Sequence, residues 1–196
     1  MTNRHEIAAA DILPWADYAR ARAEHRSRIG AIKRSRRIEV GPYVTFYFES
    51  YDTMWLQVHE MLHIEKGGAE QAADEIAAYN PLVPKGKELV ATFMIEIDDP
   101  LRRARVLAGL GGIEETAFIE VAGERIVAKP EADQDRTTAE GKASSVQFVH
   151  FPFTDAQIAA FRAPGARAII GLTHPGYSHM AVMSDATREA LAGDFG

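Results

Sequence analysis

The pentapeptide His59-Glu60-Met61-Leu62-His63 sets two imidazoles four residues apart, so that on a helix both fall on one face and can hold one metal ion. Glu60, one residue after the first histidine, would then stand where a general base activates metal-bound water, the arrangement of a zinc-dependent hydrolase. Such a site needs a third protein ligand. Glu70, Asp74 and Glu75 follow His63 closely, and Glu75 is the best placed of them. Glu60 and His63 also form a Glu-x-x-His pair, the unit that di-iron helical bundles use twice, yet the chain has one copy.

A second convergence lies in Thr173-His174-Pro175-Gly176-Tyr177-Ser178-His179, where Pro175 and Gly176 bend the backbone between two imidazoles beside a tyrosine. A mononuclear centre of iron, manganese or zinc built from Glu60, His174 and His179, with Glu49 nearby, is the expectation that uses both regions. Glu49 and Glu96 end hydrophobic strands, where a carboxylate sits at a functional rim or simply marks the sheet's edge. His150 interrupts an apolar strand and reads as a hydrogen-bonded core or interface residue. Lys33, Arg34, Arg36 and Arg37 suit a solvated helix end, and Gly109-x-Gly111-Gly112 follows a helix instead of a strand, which makes it a helix stop and not a nucleotide loop.

The elements that must position these groups are legible from hydrophobic period and caps. Asp11 to about Arg37 reads as a long helix capped by Asp11, and Tyr43 to Glu49 as a strand with Val44, Phe46 and Phe48 on one face. Thr53 to about Lys66 is the helix that carries the pentapeptide, capped by Ser50 or Asp52 and stopped by Gly67-Gly68. A helix over Ala69 to Ala78 leads into a turn at Asn80-Pro81-Leu82-Val83-Pro84, then a strand from Leu89 to Ile97 and a short helix from Pro100 to Leu110. Ala117 to Ala128 reads as a hairpin turning at Ala122-Gly123, and Glu131 to Lys142 as an exposed polar loop. Ser145 to Phe153 is a strand apolar on both faces; Thr154 and Gln157 form a capping box for a helix ending near Ala163. Ala166 to Leu172 is a strand, Thr173 to His179 a loop and Ser184 to Ala192 a terminal helix.

Together these give one α+β domain over residues 1–196, a mostly antiparallel sheet of about five to seven strands packed by helices, behind a loose segment 1–10. The hydrophobic fraction of 46% and charged fraction of 26% suit a folded chain with a real core. With no cysteine, thiolate metal sites, disulfides and cysteine nucleophiles are excluded. A net charge of -6 opposes a general role on nucleic acid. No apolar run approaches the roughly 20 residues of a membrane span, and the first residues lack signal-peptide order, so a cytoplasmic location is expected.

Lys33-Arg34-Ser35-Arg36-Arg37-Ile38-Glu39-Val40-Gly41-Pro42, Phe48-Glu49, Asp52-Thr53, Gln57-x-x-Glu60-Met61-Leu62, Tyr79 to Pro84, Met94-Ile95-Glu96-Ile97 and His174-Pro175-x-Tyr177-x-His179 resemble a bacterial domain family of unknown function through nearly the whole chain. That resemblance implies a single-domain cytoplasmic protein encoded near rubrerythrin-like and iron–sulfur oxidoreductase-like proteins, hence a redox or oxidative-stress setting and a redox protein partner. It keeps Gln57, Glu60, Met61 and Leu62 but does not demand His59 and His63, which takes weight from a peptidase and moves it to Glu60. Three functions are therefore expected in turn: a redox accessory protein with a divalent metal, a zinc hydrolase using His59, His63 and Glu75, and a non-enzymatic homodimeric binding module.

Overall fold

Pro14, which has no N–H to give, opens the first helix from the N-cap, and α1 runs over Trp15–Arg34 in a computed structural model describing residues 4–66, 68–131, 137–138 and 141–196. Asp11, the expected cap, instead closes a short 3-10 turn over Ala9–Asp11. From Arg4 onward the preceding residues lie against the fold. Ile7 is 1% exposed, and the Asn80 side chain pairs with it twice, accepting from its N–H at 2.8 Å and donating to its carbonyl at 3.0 Å.

The far end of α1 also stops earlier than expected. Ser35 caps it and the chain turns extended, because Arg37 pairs with Tyr47 across an antiparallel ladder. Strand β1 is Arg37–Val40 and β2 is Val44–Phe48. Ser50 caps α2, Tyr51–Glu65, by a reciprocal bond with Thr53, so the helix begins a turn's fraction before the expected Thr53. It ends at Lys66, in a left-handed conformation with φ 55°, while Gly67 of the expected stop lies outside the described residues. There follow α3 (Ala69–Tyr79), β3 (Glu88–Ile95), α4 (Pro100–Ala108) and the hairpin β4–β5 (Ala117–Val121, Glu124–Val127). The hairpin turns at Ala122-Gly123 as expected, both residues taking positive φ.

A two-residue strand β6, Lys129–Pro130, precedes the expected polar loop. Residues 132–136 and 139–140 of that loop lie outside the described residues, while Thr137 bridges Ala143. The chain closes with β7 (Val146–Pro152), α5 (Asp155–Arg162), β8 (Ala168–His174), β9 (Tyr177–Val182) and α6 (Asp185–Ala192). The segment expected as a loop over Thr173 to His179 is thus mostly strand, with Pro175 and Gly176 as a two-residue turn.

The fold is α+β with antiparallel pairing throughout, as expected, and its strands divide between two sheets ordered β1-β2-β3-β7-β6 and β5-β4-β8-β9. The period-two pattern explains the layering. Phe46, Phe48, Leu89, Ala91, Phe93, Val149 and Phe151 point toward the second sheet's Ile119, Ile170 and Leu172 and form the main core. The first sheet's other face gives Val90 and Phe148 to a second core with Met54, Trp55, Val58 and Leu62 of α2, Tyr18 of α1 and Ile7. The first sheet is therefore the middle layer, and the pentapeptide helix lies on its outer face.

Candidate functional site

His59 sits in that second core at 1% exposure, and both its ring nitrogens are taken. Nδ1 lies 2.8 Å from the Trp55 carbonyl, which only accepts, so Nδ1 carries the proton and Nε2 accepts from the Leu13 N–H at 3.0 Å. Burial pushes its pKa down, which keeps the ring neutral. Its faces are also occupied, by Trp55 at a centroid distance of 4.0 Å and Tyr18 at 4.8 Å. This histidine fixes the N-terminal segment to α2 and has no lone pair left for a metal.

Glu60 is clamped from α1. Arg22 donates from Nε to Oε1 at 2.8 Å and from Nη2 to Oε2 at 2.7 Å, and the Tyr18 hydroxyl donates to Oε1 at 2.6 Å. The Arg22 fork chiefly, with Tyr18, outweighs desolvation and holds the Glu60 carboxyl down to about 2, too weak a base to deprotonate water. Burial and the Glu60 charge push the Tyr18 phenol up in turn. Glu75 accepts from Gln71 Nε2 at 3.5 Å, and the zinc arrangement expected with His59 and His63 is not assembled.

The second expected set is dispersed as well. Cross-strand pairing of His174 with Tyr177 and of Leu172 with His179 does put both imidazoles on one face of the β8–β9 hairpin. His174, however, takes the Gly176 N–H on Nδ1 at 3.0 Å and faces the Gly111 carbonyl through Nε2 at 3.2 Å. His179 lies against Tyr177 and the Gly41 backbone. Glu49 is 7% exposed and accepts from Thr92 and Thr53 hydroxyls, both at 2.7 Å. Glu96 accepts from Thr45 at 2.6 Å and Tyr47 at 3.2 Å. Among the described residues no three His, Asp or Glu side chains converge as a metal would require. His150 is a partnered histidine, as its strand setting suggested: Glu88 stands 3.0 Å from Nδ1 and Glu131 2.8 Å from Nε2, and against the cost of burial these two carboxylates raise its pKa.

What the pentapeptide does border is a cavity of about 490 Å³ between the N-terminal segment, α1, α2 and α3. Ile12, Leu13, Leu62, Ala72 and Ile76 make its walls apolar, and Tyr18, His59 and His63 bring the few polar atoms. His63 differs from its neighbour. Trp15 stacks on its ring at 5.4 Å and 12°, and its Nδ1 is buried with no hydrogen-bond partner. Trp15 is 48% exposed at the cavity's edge, close to Leu13 at 36%. Sequence reasoning missed Trp15, Tyr18 and Arg22, although their spacing of three and four residues on α1 places them on one helix face toward α2.

A family model described as protein of unknown function (DUF3501) matches residues 6–195. A crystal structure of a protein of unknown function from Burkholderia pseudomallei is similar over 97% of this chain and 99% of its own, at 35% identity and a TM-score of 0.90. No curated protein matches.

Proposed function

The chain belongs to the DUF3501 family of proteins of unknown function, and we propose that it is a non-enzymatic binding module whose site is the apolar cavity between α1, α2 and α3. The carrying observation is the make-up of that cavity: walls of Ile12, Leu13, Leu62, Ala72 and Ile76, with Tyr18, His59 and His63 bringing the few polar atoms. The volume lies within the roughly 300–1,000 Å³ of sites for small molecules, and mostly apolar walls with few polar groups are their usual make-up. Aromatic Trp15 at the rim supplies a face that a ligand can stack on or slide beneath.

A metal-holding redox accessory role would require Glu60 to leave Arg22 and Tyr18, and His174 to leave two backbone groups, before a centre could form. The binding role needs no such rearrangement. Titration with 1-octanol, an uncharged apolar probe, followed by tryptophan fluorescence tests it, since Trp15 edges the cavity. Saturable binding that is lost in Ala72→Phe, with the far-ultraviolet circular dichroism unchanged, is expected. Absence of saturable binding to the unaltered protein overturns the proposal.

A further inference from the structure

Beside the apolar cavity, and sharing the His63 ring as a common wall, is a second concavity of about 440 Å³ lined by Ala19, Arg22, Ala23 and Arg26 of α1. The two arginines stand four residues apart, one turn of helix, so both project on the same side. Their states differ. Arg22 is committed to Glu60 through a two-pronged pair, whereas Arg26 is exposed and makes no hydrogen bond or ion pair with a described residue. In a chain of net charge -6, an apolar cavity and a concavity holding an exposed guanidinium that meet at one histidine set positive charge beside apolar surface.

From this we infer that the module's ligand is a free, single-tailed carboxylate, its apolar part in the cavity and its anionic head beside Arg26, passing His63. The inference rests on the binding reading above and names the class of molecule that reading leaves open. Charge complementarity carries it. An uncharged ligand would leave the Arg26 guanidinium unused, while a carboxylate matches the two N–H groups of its fork. The small residues Ala19 and Ala23 leave room along α1 for the head group without a side chain in its way. Arg22 has no free fork for the anion, because Glu60 already occupies it.

Octanoate and 1-octanol, which share a tail length and differ in the head, separate this inference from the reading beneath it. Octanoate is expected to bind about three- to tenfold more tightly than 1-octanol at low salt, the range of a partly solvated charge-assisted contact, and the gap should shrink as salt is raised. Arg26→Gln should remove the gap while leaving 1-octanol binding unchanged, and Arg26→Lys should restore part of it. Equal affinities for the two probes, or a gap that survives Arg26→Gln, overturn the carboxylate assignment and leave the apolar site standing. Failure of both probes overturns both. Sedimentation with vesicles of anionic phosphatidylglycerol, without octanoate binding, overturns it in favour of a membrane surface.

Discussion

A carboxylate between two imidazoles invites a catalytic reading, and at the residue scale its partners decide otherwise. Glu60 is made a stronger acid by the Arg22 fork and the Tyr18 hydroxyl, and it joins α1 to α2. Its pKa is held well below its ordinary 4.5, at about 2. Folding then favours the ionised form, so the contribution is complete above about pH 4.5 and is lost as the pH falls toward 2. Glu60→Gln is therefore expected to lower stability by about 1–2 kcal/mol at neutral pH, since the pair is partly solvated. Urea denaturation of both proteins checks it: the difference should narrow between pH 4.5 and 3, and a difference independent of pH would contradict the assigned role.

At the scale of elements, the residues that looked like a metal loop act as a latch between the two sheets. The Tyr177 hydroxyl, reaching from β9, donates to the Val40 carbonyl at 2.8 Å and accepts from the Tyr43 and Val44 N–H groups at 2.9 and 3.1 Å. It thereby partners three backbone groups at the β1–β2 turn. Gly41 is required there, because its φ is +70° and a Cβ would fall 2.6 Å from the His179 ring and 2.7 Å from the Tyr177 hydroxyl. Tyr177→Phe leaves three backbone groups without their partner and is expected to cost about 2–4 kcal/mol, measured by thermal or urea unfolding. A loss below about 0.5 kcal/mol, the range of a neutral surface change, would show that the latch is not energetically coupled to the fold.

For the whole molecule, the C-terminal helix is tied to the middle layer through Asp194. Arg36, 5% exposed, donates to the carbonyls of Phe48 at 3.0 Å and Glu49 at 2.7 Å and pairs with Asp194 next to the C-terminus. Asp194→Ala takes the carboxylate from a buried guanidinium and is expected to cost about 3–5 kcal/mol. Arg36→Met combined with Asp194→Leu should recover part of that loss in urea denaturation, because it removes both buried charges while leaving the Phe48 and Glu49 carbonyls without the guanidinium; a double variant no better than the single one would contradict this account.

Much of the fold was legible in the sequence because its signals are local. Alternation of Val44, Phe46 and Phe48 and of Phe93 and Ile95, the Ser50 and Thr154 caps and the Ala122-Gly123 turn each act within a few residues, so they fixed strands, helices and a hairpin. Boundaries moved where a distant partner intervened, as when Tyr47 drew Arg37 from the expected helix into a strand. The histidine and glutamate spacings were equally visible, but spacing states only which groups share a face. What each group does there depends on neighbours 38 to 46 residues away, Arg22 and Tyr18 for Glu60 and Leu13 for His59. Hydrogen-bond partners, and with them protonation and the room left for a ligand, are set by packing between elements, and that is what the tertiary structure alone decided.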